Sequence, residues 1–204
     1  MKQTAVSQHA LSNPISRWAL EDRLRVSLQM VPENTASLLD LGCGEGHFLA
    51  MVEKRFPAAR LAGVDLSEEN IRYAKGILKK AKLIRGDAAK TNLPGSSFDV
   101  VLALELLDHV ESDGALISEA WRLLKPKGML VISIPDSSML LWNVTWSVWT
   151  RTLGRRWEGK HLREYDERRL TRLLESNGFR VKGKARALLG CVMILACEKS
   201  KQVF

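Results

Sequence analysis

The sequence predicts an α/β fold, a parallel sheet with helices on both faces and an antiparallel pair at one edge. Two observations carry this. Short apolar runs alternate with amphipathic segments between Ser37 and Pro135, the pattern of successive βαβ units. The last two runs, "FRVKGKARA" and "LLGCVMILACEK", are joined by a very short link, which forces them to pair antiparallel and makes that edge mixed.

In chain order, residues 14 to 30 read as a helix with Pro14 near its start and Trp18, Leu24 and Leu28 at helical spacing. "SLLDL" is a strand, followed by a helix over 46–56. "RLAGVDL" is the next strand, with a helix over 68–80, and "KLIRGD" is a third strand. "FDVVLAL" is a fourth and leads to a helix over 113–124; "GMLVISIP" is a fifth. "DERRLTRLLESNG" is a helix capped by Asp166 and stopped by Asn177-Gly178, ahead of the terminal hairpin. Residues 1–204 are expected to form one domain. Its parts are an N-terminal helix (14–30), a binding core (36–135), a Trp-rich and basic insertion (137–165), and a C-terminal helix and hairpin (166–198).

Hydrophobic residues make up 46% and charged residues 26% of the 204, a balance that permits a substantial buried core. The N-terminus lacks an apolar signal region and no run approaches the roughly 20 residues of a membrane span. Cys43, Cys191 and Cys197 lack ligand spacing, so a reducing, cytoplasmic setting with buried thiols is expected, with no disulfide framework and no metal. Of the net charge of +8, residues 151–186 hold twelve Lys/Arg against five Asp/Glu. This is either a solvated face or a surface for an anionic partner.

The stretch "LLDLGCGEGHF", residues 38–48, brings a strand into glycines at 42, 44 and 46, where backbone N–H groups can approach a ligand closely. Dinucleotide folds prefer G-x-G-x-x-G with a pyrophosphate on the helix N-terminus. Here the spacing is G-x-G-x-G, and Asp40 precedes the first glycine. A carboxylate there would repel a pyrophosphate and attract an ammonium group. Asp65 ends the second strand, where an acid can accept from ribose hydroxyls. Asp87 ends the third, placed for an exocyclic adenine amine. Ammonium, ribose and adenine without phosphate describe S-adenosylmethionine.

"LLDLGCGEGHF", "GVDLS", "GDAAKTNLP", "FDVVLALELLDHV" and "RLLKPKGMLVISIP" resemble, in order and spacing, the successive motifs of class I S-adenosylmethionine-dependent methyltransferases, most closely the small-molecule, type 11-like branch. The resemblance implies a Rossmann-like, doubly wound sheet of seven strands in the order 3-2-1-4-5-7-6, with strand 7 antiparallel. It also implies that Asp40 and the backbone of Gly42, Cys43, Gly44 and Gly46 hold the methionine moiety. Asp65 would take the ribose, Leu66 the adenine face, Asp87 and Ala88 the adenine edge, and Leu104 and Glu105 would face the methionine. The product would be S-adenosyl-L-homocysteine. Two departures stand out: Lys127 replaces the first of two glycines in "KPKG", and Asp108 precedes His109 where the branch often has Glu.

Methyl transfer needs alignment of nucleophile, carbon and sulfur more than it needs acid–base chemistry, since orientation alone contributes roughly 7–11 kcal/mol. His109 opens toward the carboxyl edge of the sheet and is the candidate proton acceptor, or else a helix-start residue that shapes the pocket. His161 and Tyr165 are further candidates toward the substrate. The turn after the fourth strand reads "ALELLDHV" and no cysteine follows a proline, so neither of the usual nucleic-acid signatures is present and a nucleic-acid substrate is disfavoured. The charge-free stretch "SSMLLWNVTWSVWT" (137–150) places Trp142, Trp146 and Trp149 on one helical stripe, with Arg151, Arg155 and Arg156 directly behind. That composition suits a membrane-surface helix, a lid over an apolar substrate, a helix packed on the sheet, or a homodimer interface. The expected function is methylation of a small, amphipathic or lipid-like acceptor, by a cytoplasmic protein that is peripheral to an anionic membrane. RNA or protein methylation through the basic face, or cofactor binding without turnover, are the alternatives.

Overall fold

The computed structural model describes residues 14–140, 142, 144 and 163–200. Seven strands form one sheet: β1 (Ser37–Leu41), β2 (Arg60–Asp65), β3 (Lys82–Arg85), β4 (Phe98–Leu104), β5 (Leu124–Pro135), β6 (Phe179–Ala187) and β7 (Val192–Lys199). Their spatial order is β3-β2-β1-β4-β5-β7-β6. β1 through β5 pair in parallel, and β7 runs antiparallel to β5, from Met129 opposite Glu198 to Pro135 opposite Val192. The expected topology is the observed one.

Two apolar clusters lie on opposite faces. On one, Leu38, Leu102 and Val131 meet α1 (Pro14–Gln29), α2 (His47–Arg55) and α3 (Glu68–Ile77). On the other, Leu39, Val101 and Ile132 meet α4 (Asp113–Leu123) and α5 (Glu167–Ser176). Because β1 and β4 are covered on both sides, both parities are apolar and the strands read as continuous hydrophobic runs. Asp40 interrupts such a run, and it is 3% exposed. Side-chain caps set three helix starts. Ser67 accepts from the Asn70 N–H, Ser112 from Ala115 and Asp166 from Arg169.

Three elements depart from expectation, each for a tertiary reason. α3 ends at Ile77 because Leu78 turns into extended backbone and fills the space above Gly46, while the N–H groups of Lys79 and Lys80 donate to the Glu53 carboxylate. β5 begins at Leu124, directly after α4, and reaches Met129 through a register shift. Trp18 is 49% exposed, whereas Leu24 and Leu28 pack against the core. Helical spacing alone could not show that α1 extends past the surface it covers.

The turn into the regular part of β5 also explains one departure from the family pattern. Lys127 has φ 62°, the left-handed region where a side chain crowds the following carbonyl. Lys127→Gly is therefore expected to stabilise the fold by about 0.5–1 kcal/mol, relief of strain offset by greater unfolded-state freedom. Urea unfolding would read this as a higher midpoint with an unchanged slope.

Candidate functional site

β1 and β4 are neighbours whose connections leave to opposite faces, so a crevice opens between their carboxyl ends. Most of the residues singled out from the sequence collect around it. After β1 the chain turns through Gly42, Gly44 and Gly46 at φ 70°, 52° and 79°. The N–H groups of Gly42 and Cys43 both donate to the Val64 carbonyl (2.8 and 3.0 Å), and Gly46 donates to Cys43 (2.9 Å). The three glycines serve different needs. A side chain at Gly42 would lie 2.8 Å from Leu106 Cδ1, and one at Gly46 2.8 Å from Leu78 Cδ1. At Gly44 nothing lies within 4 Å. Two of the glycines admit packing neighbours; Gly44 leaves its surface open to a ligand.

Asp65 locks this turn. Its Oδ2 accepts from the Gly44 N–H at 2.8 Å, and its Oδ1 accepts from Ser67 N–H (2.9 Å) and Asn70 Nδ2 (3.1 Å). A carboxylate offers about four acceptor positions, so one on Oδ2 remains, and the Asn70 amide can yield a second to a vicinal diol. Leu66, immediately after, is 74% exposed, an apolar face held open beside that carboxylate. Asp87 is exposed, with Oδ1 accepting from the Ala89 N–H (2.8 Å), and Ala88 is buried.

Asp40 lies within the apolar layer on the α1–α3 face. Among the described residues no hydrogen bond to its carboxylate is made. Burial, and then the Asp65 charge, push its pKa from 3.8 up to about 8. An ammonium group placed against it would favour the ionised form. Burial also pushes the Cys43 thiol far up, with Asp40 and Asp65 adding to the effect. Cys43 is thus a small buried residue and not a nucleophile.

Across the crevice, β4 ends at Leu104 and Glu105. Glu105 has φ 51°, and its conformation is held from several sides. Its N–H donates to the Ser133 carbonyl (3.0 Å), its Oε1 accepts from Ser133 Oγ (2.8 Å) and its Oε2 from Arg23 of α1 (3.2 Å). A 3-10 turn, Leu107–His109, follows. Asp108 is buried, and His109 is partly exposed with Nε2 3.9 Å from Asp108 Oδ1, an electrostatic contact too long for a hydrogen bond.

Tyr165 departs from the expected substrate-facing role. It is 1% exposed and its hydroxyl donates to Asp113 (2.8 Å); burial first, and then that bond, push its pKa well up. Its carbonyl accepts from both the N–H and the Oγ of Ser137 (2.9 and 3.0 Å), while Arg163 donates to the carbonyls of Val110 and Glu111. The chain therefore leaves at Ser138 and returns at Glu164 at one point, beside the turn that carries His109. Trp142 is half-buried; Trp146, Trp149 and His161 lie outside the described residues. Sequence reading missed Arg23, Asn70 and Ser133. Asn70, three residues after the Ser67 cap, had a local signal, whereas Arg23 and Ser133 reach Glu105 from 82 and 28 residues away. No group of three or more metal-ligating side chains occurs among the described residues. A surface cavity of about 360 Å³ beside Lys90 and Glu119 lies toward the amino ends of the strands; Glu119 there is already held by Arg122 and Thr91.

The family model of a methyltransferase domain matches residues 39–132. A probable S-adenosylmethionine-dependent methyltransferase of Mycolicibacterium smegmatis is 29% identical over 144 residues, which are 71% of this chain and 52% of that protein. Trans-aconitate 2-methyltransferase of Escherichia coli K12 is 33% identical over 122 residues, 60% of this chain and 46% of that protein. The chain thus spans about half the length of these curated relatives. Among solved structures, magnesium protoporphyrin IX methyltransferase of Synechocystis, with S-adenosylhomocysteine bound, superposes with a TM-score of 0.71 at 20% identity, covering 92% of this chain and 88% of that one. That likeness establishes a shared fold.

The raised Asp40 carboxyl has a consequence for stability. The folded protein keeps a proton that the unfolded chain releases, so the Asp40 contribution is intact below the unfolded value near pH 4 and falls as pH rises toward about 8. Asp40→Asn abolishes this dependence. In thermal melts of ligand-free protein, the stability of the variant relative to wild type should be greater at about pH 8.5 than at about pH 5. Equal differences at both values would return Asp40 to the ordinary carboxylate range.

Proposed function

Since the chain belongs to the class I S-adenosylmethionine-dependent methyltransferases, we propose that it transfers the S-adenosylmethionine methyl group to a small acceptor with an apolar portion. The observation that carries this reading is the buried Asp40 carboxyl, without a hydrogen bond among the described residues, beside a left-handed glycine turn that Asp65 holds from the next strand. These groups fit the cofactor's polar ends. Asp40 would pair with its ammonium and Asp65 with its ribose hydroxyls. Leu66 would lie against the adenine, with Asp87 and Ala88 at its edge and Leu104 and Glu105 toward the methionine. When bound, the cofactor supplies a methyl group already activated by the sulfonium.

The protein's own part is then alignment and exclusion of water. Arg23 and Ser133 hold Glu105 in a left-handed conformation, which fixes the wall opposite the glycine turn. His109, partly exposed beside that wall, is placed to take a proton from an acceptor that carries one. The trans-aconitate relative supports a small-molecule acceptor, and the Trp-rich segment that starts beside His109 supports one with apolar surface. An RNA-type polyanion is less well served. On β6 the cations Lys182, Lys184 and Arg186 are paired with Glu198, Glu167 and Asp136.

Calorimetry should show binding of S-adenosylhomocysteine and none of NAD. Asp65→Ala should weaken that binding by about 1.5–3 kcal/mol, roughly tenfold to 150-fold, the scale of hydrogen bonds to a charged group. Unchanged affinity in a folded variant would place the ribose elsewhere. Methyl-labelled cofactor offered with amphipathic small molecules and with RNA tests the acceptor class, and label incorporated into RNA alone would overturn the small-acceptor reading.

A further inference from the structure

Three separate segments expose large apolar side chains at the same edge of the sheet. In α1, Ile15 is 77% and Trp18 49% exposed; after β5, Leu140 is 76% and Val144 52% exposed; between β6 and β7, Leu189 is 77% exposed. Contacts hold these segments together. Asp22 Oδ2 accepts from the Leu188 N–H at 2.9 Å, which seats α1 on the β6–β7 link. Ile15, Trp18 and Asp22 follow at i, i+3 and i+7 and share one helix face, so the two apolar residues continue that face about 6 and 10.5 Å beyond the contact. A side chain at Gly190 would lie 3.4 Å from Met139 Cε, and the Asp136 N–H donates to the Cys191 carbonyl (2.8 Å). The segment that carries Leu140 and Val144 is thereby joined to the same link.

Leu189 is presented at a cost. Leu188 and Leu189 have φ 51° and 56°, two successive leucines in the left-handed region that a side chain resists. Turning Leu189 into solvent brings no packing in return, which points to an apolar partner outside the chain.

We propose that this rim, Ile15, Trp18, Leu140, Val144 and Leu189, docks on the surface of an anionic lipid bilayer. Charge selects this occupant over a second copy of the chain. Arg17 is exposed between Ile15 and Trp18, with Glu21 a turn below. The sequence that leaves the rim at Val144 and returns at Arg163 holds Arg151, Arg155, Arg156 and Lys160 against Glu158, with Trp146, Trp149 and Trp157 among them. Two copies joined at this rim would bring two such basic sequences, each tethered to it at both ends, close together, whereas a sequence rich in tryptophan and cations suits the interface of an anionic leaflet. The rim shares its edge with Glu105 and His109, so a docked protein would open its crevice toward the membrane. This last step rests on the methyltransferase reading and names the lipid leaflet as the source of its amphipathic acceptor. Docking itself is read without turnover.

The test is flotation of the full chain with vesicles of phosphatidylcholine, alone and mixed with phosphatidylglycerol. The chain should float with the mixed vesicles, stay behind with the neutral ones, and be released by added sodium chloride. Trp18→Ser/Leu189→Ser should weaken partition by roughly tenfold or more, and Leu140→Ser/Val144→Ser is the second variant should the first not fold. Absence of flotation by the wild type, or flotation unchanged in both variants, overturns the proposal. So does a wild-type dimer in sedimentation that either variant dissolves. S-adenosylhomocysteine affinity, measured on the same samples, should be unchanged in the variants. Its absence in a wild type that floats would overturn the methyltransferase reading and leave the docking face standing.

Discussion

The hydrogen bond from the Gly44 N–H to the Asp65 carboxylate joins the two strand ends on which the crevice depends. Three left-handed glycines at alternate positions give a turn with little conformational preference of its own. It is held by pairing with β2, through the Val64 carbonyl and the Asp65 side chain. Asp65 in turn is oriented by the Ser67 N–H and the Asn70 amide at the start of α3. The turn, the second strand and the third helix are consequently one unit, and a ligand drawn to Asp65 meets a carboxylate that is already positioned.

That arrangement sets the Asp65 charge close enough to act on Asp40, which lies in an apolar layer and absorbs the conflict. It is buried without a hydrogen bond among the described residues, and burial with the Asp65 charge pushes its pKa up to about 8. A group chosen for packing at that position would be aliphatic, like Leu38 and Leu102 on the same face. A carboxyl there fits the proposal that its partner charge arrives with the ligand. The opposite wall follows a similar logic, with Glu105 kept in a left-handed conformation by Ser133 and Arg23 together. Both walls are strained or under-satisfied where the cofactor is expected, and the supporting bonds come from outside the crevice.

The sequence was most legible where the physics is local. Alternating apolar runs gave the seven strands, Asp166 marked a helix start by its cap, and the short link between the last two runs announced an antiparallel edge. The strand order came from the motif resemblance, which the sheet reproduces. Asp40, Asp65 and the glycines were identifiable because glycine spacing and a carboxylate at a strand end each have a direct chemical meaning.

What only the tertiary structure decided depends on which distant groups meet. Tyr165 read as a residue facing substrate, but its hydroxyl finds Asp113 across 52 residues and it becomes part of the core. Trp18 shares helical spacing with Leu24 and Leu28 but is half-exposed, because α1 extends past the surface it covers. Leu78 left its helix to sit over Gly46, a neighbour supplied by the first turn and not by its own segment. The sequence by itself determined the elements and the acids placed beside the glycine turn, since these rest on backbone propensity and spacing within a few residues. The partners of Glu105, the closure of residues 138–164 at one point, and the apolar rim were decided by the folded sheet, because only its strand order brings chain segments tens of residues apart to the same carboxyl edge.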